Sequence, residues 1–544
     1  MQDGIGTGID YAVRLLRELD MGYNTAAFCF FLPVFLGIYF AIRSQNIKRK
    51  WILLGNLVFY IWSGWTAALI VGATAGIAYW ATREISAVYA GFEAEKGTLS
   101  SKMQASVLAD YKKRARRYLY AAMFLILGIW IAVKVGRLAG LATVKTFSEI
   151  ISEKGIIVPL GISYYSLSVI GYVLDVYWRK AKPELNFGNL FTVMTYFPHI
   201  VQGPISKYDM LLKQFRNLPG FEYERVCFGL QLMLWGYIKK MVIADRLAVY
   251  TSAVFDMPVN FAGVEILLAV ILCVLQLYAD FSGCMDIVGG ISQAMGIQLS
   301  KNFSQPFFAR SAQEFWARWH ITLGAWTKEY IYLPIAMNPK FIRMTNKLKK
   351  EKKVWLSSFL KAFCPLVAVW LFTGLWHGTG IDYIVWGAYW CVLMTLSKEI
   401  KPLMNKLIAI LHIDPETIYF RIFQSVRTYL LFAIGRMFTV AGSLAGCGML
   451  WQRLFEESRP QVLVDGSLFT HGLNQKDFSI ILVGIMIMMA VDLLHERGIH
   501  IREKIQKRQI VIRWCVFYCA MFALIILGMY GPDFDAASFV YGTF

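Results

Sequence analysis

Two histidines carry the chemistry that this sequence can offer. His377 closes the run 371–377 and ends an apolar stretch that begins near Val354. An ionisable side chain at the end of such a stretch is costly to bury in lipid and marks a functional site. His320 lies in residues 314–326, an aromatic and amphipathic segment with Arg310, Arg318 and Lys328 for polarity. Two histidines without a nearby cluster of Asp, Glu or Cys do not make a metal site, which usually needs three or four ligands. A general base with an assisting donor suits the pair better. The plainer alternatives are a core histidine bonded to a neighbouring helix at 377, and an interfacial aromatic belt at 314–326. The sequence holds no Gly-x-Ser-x-Gly, phosphate-binding loop or dinucleotide-binding glycine fingerprint.

The elements that position these residues follow from hydropathy. Of the 544 residues, 57% are hydrophobic, 15% aromatic and 17% charged. Mean hydropathy is +0.49. A soluble domain carries about 25% charged residues, so this is a polytopic membrane pattern of apolar runs parted by polar loops. The net charge of +19 is spread over short loops and not over one domain face, which excludes nucleic acid as a partner. Nine cysteines, several of them inside apolar runs, form no Cys-x-x-Cys pair and stand at no ligand spacing from His, which argues against disulfide frameworks and zinc. Residues 1–20 carry Asp3, Asp10, Glu18 and Asp20 and precede the first apolar run, so no cleavable leader is expected.

Spans are expected at 24–42, at 51–82 as a hairpin broken at Ser63-Gly64, and at 118–136 and 155–178. Further spans are expected near 354–375, 380–397, 425–445, 478–494 and 511–530. Basic loops at 43–50, 83–117, 179–182, 347–353, 398–406 and 495–508 are assigned to the cytoplasm by the positive-inside rule, with both termini outside after about 12 crossings. Lys239, Lys240 and Arg246 break this alternation. Residues 185–225 and 281–340 mix aromatics, prolines and charges. Irregular backbone at membrane depth is tolerated where protein buries it or it lines a cavity, so a polar cavity is expected in the middle of the chain. No separate soluble domain, no low-complexity segment and no fixed-period repeat is visible.

Several stretches resemble the membrane-bound O-acyltransferase family: 159–166 with 172–177, 197–204, 239–247, 277–283, and most strongly 302–334 and 376–387. Their order resembles the bacterial branch that holds the alginate O-acetyltransferase and the teichoic-acid D-alanyl transferase. The resemblance covers about residues 24–450. It implies an all-α polytopic fold, a ring of about 12 transmembrane and re-entrant helices around a central funnel or tunnel. One integral-membrane domain is expected over 1–544, with C-terminal helices at 451–530 and a tail at 531–544. His377 is implied as the catalytic residue and His320 as the second functional one. Trp376, Gly378, Arg318, Trp319, Asp280 and Ser282 stand in the same motifs as supporting or tunnel residues.

The tail carries Phe539, Tyr541 and Phe544, which match a C-terminal Phe-x-Tyr-x-x-Phe of this branch or of its small partner protein. The resemblance implies that Tyr541 relays the acyl group. A phenol needs a base for this, since its ordinary pKa is about 10. No bound cofactor or metal is expected. The donor is a cytoplasmic thioester, acetyl-coenzyme A or an acyl carrier protein. The expected partners are an extracytoplasmic SGNH-type acyltransferase and a polysaccharide or teichoic-acid acceptor, at a bacterial cell membrane. After Pro334 the family pattern Leu-Gly-Gly is replaced by 335–339 and a basic loop, which puts the donor surface in question. The rival readings are D-alanyl transfer to teichoic acid, acylation of a membrane-embedded acceptor, and a transporter of a small or lipid-linked cargo, for which the missing repeats count against.

Overall fold

The computed structural model describes residues 22–62, 65–139, 161–200, 202–261, 263–456 and 458–530. No strand occurs among them; Phe303 and Trp319 form an isolated antiparallel bridge. Two compact units are present: residues 1–230 with 287–299, and residues 231–286 with 300–544.

In the first unit the helices are α1 (Ala26–Ala41), α2 (Gln45–Trp62), α3 (Trp65–Lys96), α4 (Ser101–Ala139), α5 (Ile162–Tyr177), α6 (Phe187–Met194) and α7 (Tyr208–Arg216). The stretch 83–117, expected as a polar loop, is helical on both sides of a short turn. Its charged side chains face outward, while Ile85, Tyr89 and Phe92 recur at helical spacing on the buried face, where α3 and α4 pack as a hairpin with α5. The break at Ser63-Gly64 falls outside the described residues. Buried polar residues tie loops to helices here. Asn56 donates to the Thr192 carbonyl at 3.0 Å and accepts from the Phe197 amide at 3.0 Å. Lys48 donates to the Pro219 carbonyl at 2.8 Å and lies over the Tyr39 ring.

The polypeptide then runs through α8 (Tyr223–Tyr237), a π-helical segment Ile238–Ala244 and α9 (Asp245–Asp256). Next come α10 (Gly263–Ala294), α11 (Ala312–Arg318), α12 (Ile321–Thr327), α13 (Pro339–Lys350), α14 (Val354–His377) and α15 (Ile381–Ile410). The last are α16 (Ile418–Val440), α17 (Leu444–Glu456), α18 (Gln475–Glu496), α19 (Ile501–Gln506) and α20 (Ile510–Leu527). Among the described residues six helical stretches are long and apolar enough to cross a membrane: 101–133, 223–256, α10, α14, α18 and α20. Asp280-Phe-Ser-Gly283, expected as irregular, sits inside α10.

The cations that break the charge alternation are not in a loop. Lys239 and Lys240 lie in the π-helical segment and are buried. A π turn closes from i to i+5, and here the Asp245 amide donates to the Lys240 carbonyl. That spacing puts Lys240 and Asp245 on one face, and Lys240 Nζ bridges Asp245 and Asp280 at 2.8 Å each. Lys239 Nζ reaches Asp286 at 2.7 Å and Ser282 Oγ at 2.9 Å. Gly283 lets α10 approach: a Cβ there would stand 2.9 Å from the Gly236 carbonyl. Arg246 pairs with Asp477 at 3.1 Å and donates to the Leu527 carbonyl at 2.8 Å, and the Met529 amide donates to the Met241 carbonyl at 2.9 Å. The π segment is thus where α10, α18 and the end of α20 meet.

Removing one partner of a buried ion pair leaves an uncompensated charge, at a cost of about 3–5 kcal/mol. Lys240→Leu is therefore expected to lower the melting midpoint in detergent sharply. Adding Asp245→Asn and Asp280→Asn to it should recover most of the loss. A K240L variant that melts like the wild type would show that the cluster does not hold these helices.

Candidate functional site

His377 is the last residue of α14. The helix is two-faced: Trp370, Thr373, Gly374 and His377 recur at helical spacing and are buried, while Val367, Leu371 and Leu375 are exposed. After a three-residue turn α15 begins, so the two helices return against each other. Their approach depends on glycine. A Cβ on Gly374 would stand 2.5 Å from the Tyr383 carbonyl, and one on Gly387 would stand 2.5 Å from the Trp370 carbonyl. Small residues at such a crossing let backbones close in. Gly378 is equally confined, because a Cβ there would meet the Tyr383 ring at 2.2 Å. The result clamps the His377 imidazole between Trp376 and Trp386, with ring centroids 4.7 and 5.2 Å away and both edge-on.

His320 caps α12 in a left-handed conformation, φ 48° and ψ 49°. A residue without glycine's freedom held there costs roughly 1–3 kcal/mol and persists only when its surroundings fix it. The fixing element is Asn302. Its carbonyl accepts from the Ile321 amide at 3.0 Å. Its side-chain Oδ1 accepts from the Thr322 amide at 3.1 Å and the Thr322 hydroxyl at 2.9 Å. His320 Nδ1 faces the same Oδ1 at 3.2 Å. Since Oδ1 is an acceptor, Nδ1 carries the proton and the lone pair lies on Nε2. His320 stands outside the six candidate spans, and burial pushes its pKa down to about 3, so the ring is neutral at physiological pH.

Both histidines line one cavity in the second unit, with ≈ 500 Å³ of non-atom space, part of it open to solvent. Trp316, Trp319 and Trp386 form much of its wall, and Tyr383, Arg436 and Thr439 supply polar groups. The expectation that the two histidines meet thus rests on a shared cavity. Trp319 lines it as well, and Trp376 is buried with its ring 6.0 Å from His320. The other sequence candidates lie elsewhere. Arg318 is held by Glu314 and Glu496 at 2.6 Å each. Asp280 and Ser282 belong to the lysine cluster on α10. Tyr541, with Phe539 and Phe544, lies outside the described residues.

Sequence reasoning did not single out Arg436, Trp316, Tyr383 or Asn302 as site residues. For Arg436 a signal exists, since it is a charge within the apolar run 430–440, and the rule that selects His377 applies to it too.

A profile described as MBOAT, the membrane-bound O-acyltransferase family, matches residues 179–346. The chain is 29% identical over 439 residues to a probable alginate O-acetylase of Pseudomonas fluorescens, covering 80% of this chain and 76% of that protein. It is 28% identical over 417 residues to a peptidoglycan O-acetyltransferase of Helicobacter pylori, covering 69% and 70%. To a teichoic acid D-alanyltransferase of Bacillus subtilis it is 28% identical over 240 residues, covering 43% and 58%. These matches make the chain similar to the membrane-bound O-acyltransferase family. It is an O-acyltransferase and a multi-pass membrane protein. The transporter reading therefore lapses. The family profile includes His320 and ends before His377, so the cavity joins a residue inside the matched region to one beyond it.

The hydrogen bonds to Asn302 make a direct expectation. Asn302→Leu removes the acceptor that fixes the His320 tautomer, and Asn302→Asp keeps an acceptor oxygen there. Acyl-ester output at matched protein level should fall about 100-fold in the Leu variant, the scale of a lost acid–base function, and much less in the Asp variant. Equal output from the two would show that the tautomer is not what Asn302 controls.

Proposed function

We propose that this membrane O-acyltransferase passes an acetyl group from a cytoplasmic thioester donor across the membrane for O-acylation of an extracellular polysaccharide or cell-wall polymer. The observation that carries the reading is the shared cavity of His320 and His377. An acyl transfer needs a base to take the proton of the attacking hydroxyl and return it to the leaving thiolate. His377 is the base. His320, neutral and with its lone pair on Nε2, assists it. The donor is acetyl-coenzyme A or an acyl carrier protein thioester. The setting is a ring of about 12 transmembrane and re-entrant helices around a tunnel, in a bacterial inner membrane with both termini outside.

Acetyl is favoured over D-alanyl by the cavity itself. A D-alanyl thioester brings an ammonium group. No Asp or Glu is among the cavity's lining residues, and Arg436 is, so the lining offers an ammonium repulsion and no counter-ion. The relatives point the same way. The match to the alginate O-acetylase covers 80% of this chain, and that to the D-alanyltransferase 43%.

Tyr541 is the relay. Its phenol takes the acetyl group by way of His377 and yields it to a secreted SGNH-type partner that serves the polymer. Support comes from the anchoring of residues 527–529 on the π segment through Met241 and on the first turn of α9 through Arg246, which starts the tail from a fixed point.

His377→Ala should abolish surface-polymer acetyl ester at unchanged membrane protein level, read as acetate released by mild alkali; undiminished ester would refute the catalytic assignment. In cells lacking the secreted partner, mass spectrometry of the C-terminal peptide should find Tyr541 carrying an acetyl adduct. An unmodified Tyr541 together with a fully active Tyr541→Phe would end the relay, and a D-alanyl mass would replace acetyl as the group transferred.

A further inference from the structure

Two donors at the reaction cavity have no hydrogen-bond partner among the described residues. Arg436 projects from α16 into the cavity that holds both histidines. Its Nη1 donates to Thr439 Oγ1 at 2.7 Å, and the guanidinium lies beside the Cys273 thiol. Its buried Nε makes no hydrogen bond. Arg436 forms no salt bridge with any described carboxylate, in contrast to Arg246 and Arg318, each of which is paired. Trp316, from α11, also lines the cavity, and its buried indole Nε1 has no acceptor among the described residues. Buried polar groups are nearly always satisfied, so two orphaned donors in one cavity need an explanation. A guanidinium in a tryptophan-walled cavity without a counter-ion is more costly still. The group that answers both is an oxygen that accepts hydrogen bonds and gains negative charge during the reaction.

We propose that Arg436 is a further catalytic residue, which together with Trp316 Nε1 holds the carbonyl oxygen of the acyl thioester and stabilises its charge in the tetrahedral intermediate. This rests on the acyl-transfer reading of the cavity. The acceptor hydroxyl oxygen bonds to the thioester carbonyl carbon, and its proton passes to the histidine base. The carbonyl π pair moves onto oxygen, opposite the guanidinium. On collapse the pair returns, the carbon–sulfur bond breaks, and the thiolate takes the proton from the imidazolium. The products are an ester and a thiol. Donors aimed at the developing oxyanion in a water-poor cavity are worth about 100-fold or more in rate each.

The test uses the full chain in cells that lack their own copy, with acetate released from the surface polymer by mild alkali as the readout, per unit of membrane protein. Arg436→Gln is expected to lose about 100-fold, Arg436→Lys to retain a clearly larger share, and Trp316→Phe to lose less than Arg436→Gln. Membrane level and melting midpoint in detergent should stay near wild type. Methylguanidine added to cells carrying Arg436→Gly should raise ester output several-fold, a gain that a purely structural role would not give. Wild-type output from R436Q, or equal loss in R436K and R436Q with no gain from methylguanidine, would overturn the assignment. His377→Ala separates the two levels. If it is inactive while R436Q is active, only the role of Arg436 fails; if it is active, the acyl-transfer reading of the cavity fails.

Discussion

A polar group at membrane depth has no water to turn to, and every such group in this chain must be satisfied by the chain itself or by what it binds. The second unit meets that constraint in two ways. Around the π segment, Lys239, Lys240 and Arg246 face Asp286, Asp245, Asp280 and Asp477 at 2.7–3.1 Å. That cluster is closed, and it joins helices. In the cavity, Arg436 has a hydroxyl and a thiol for company and no carboxylate among the described residues. The first arrangement is what a structural charge looks like. The second is what a charge looks like when its counterpart arrives with the substrate.

The same contrast orders the backbone. Regular helix continues wherever apolar side chains can face outward, as along α20. It is interrupted where a polar side chain must be aimed. The π turn aligns Lys240 with Asp245. The left-handed His320 turns the chain between α11 and α12, and Asn302 reaches across to hold it. The glycines at 374 and 387 bring α14 and α15 together so closely that the His377 ring has indoles on two sides. Each irregularity sits beside a residue whose position is chemical, where local strain is held by surrounding structure.

Hydropathy made the all-α membrane class legible, and polarity inside an apolar run made His377 legible, because both signals are local. The helical stretch through 83–117 was hidden for the opposite reason: its helices carry charges on their exposed faces and show no apolar run to read. Lys239 and Lys240 misled a count that assumes every basic pair lies in a loop, since their most distant carboxylate partners, Asp286 and Asp280, lie 47 and 40 positions on. Asn302 looked like one polar residue among many; its task is defined by Thr322 and His320, some 18–20 positions on. Arg436 was concealed by the hydrophobic average of the span around it. The meeting of His320, His377 and Arg436 is a tertiary fact that periodicity does not encode.

In the proposed reaction, a cation in the same cavity as two histidines would be a handicap if they had to be charged beforehand. They do not. A base must start neutral, and burial holds the His320 ring in that state. Proton transfer from the attacking hydroxyl then creates an imidazolium at the moment the carbonyl oxygen becomes negative. In an apolar tryptophan-walled cavity that separation of charge would be severely opposed. With Arg436 already in place, the new negative charge arises between two cations, and the guanidinium gains in the intermediate the counter-ion it lacks beforehand. Its interaction is stronger in the transition state than in the ground state, which is the condition for raising the rate of the chemical step and not merely the affinity for substrate.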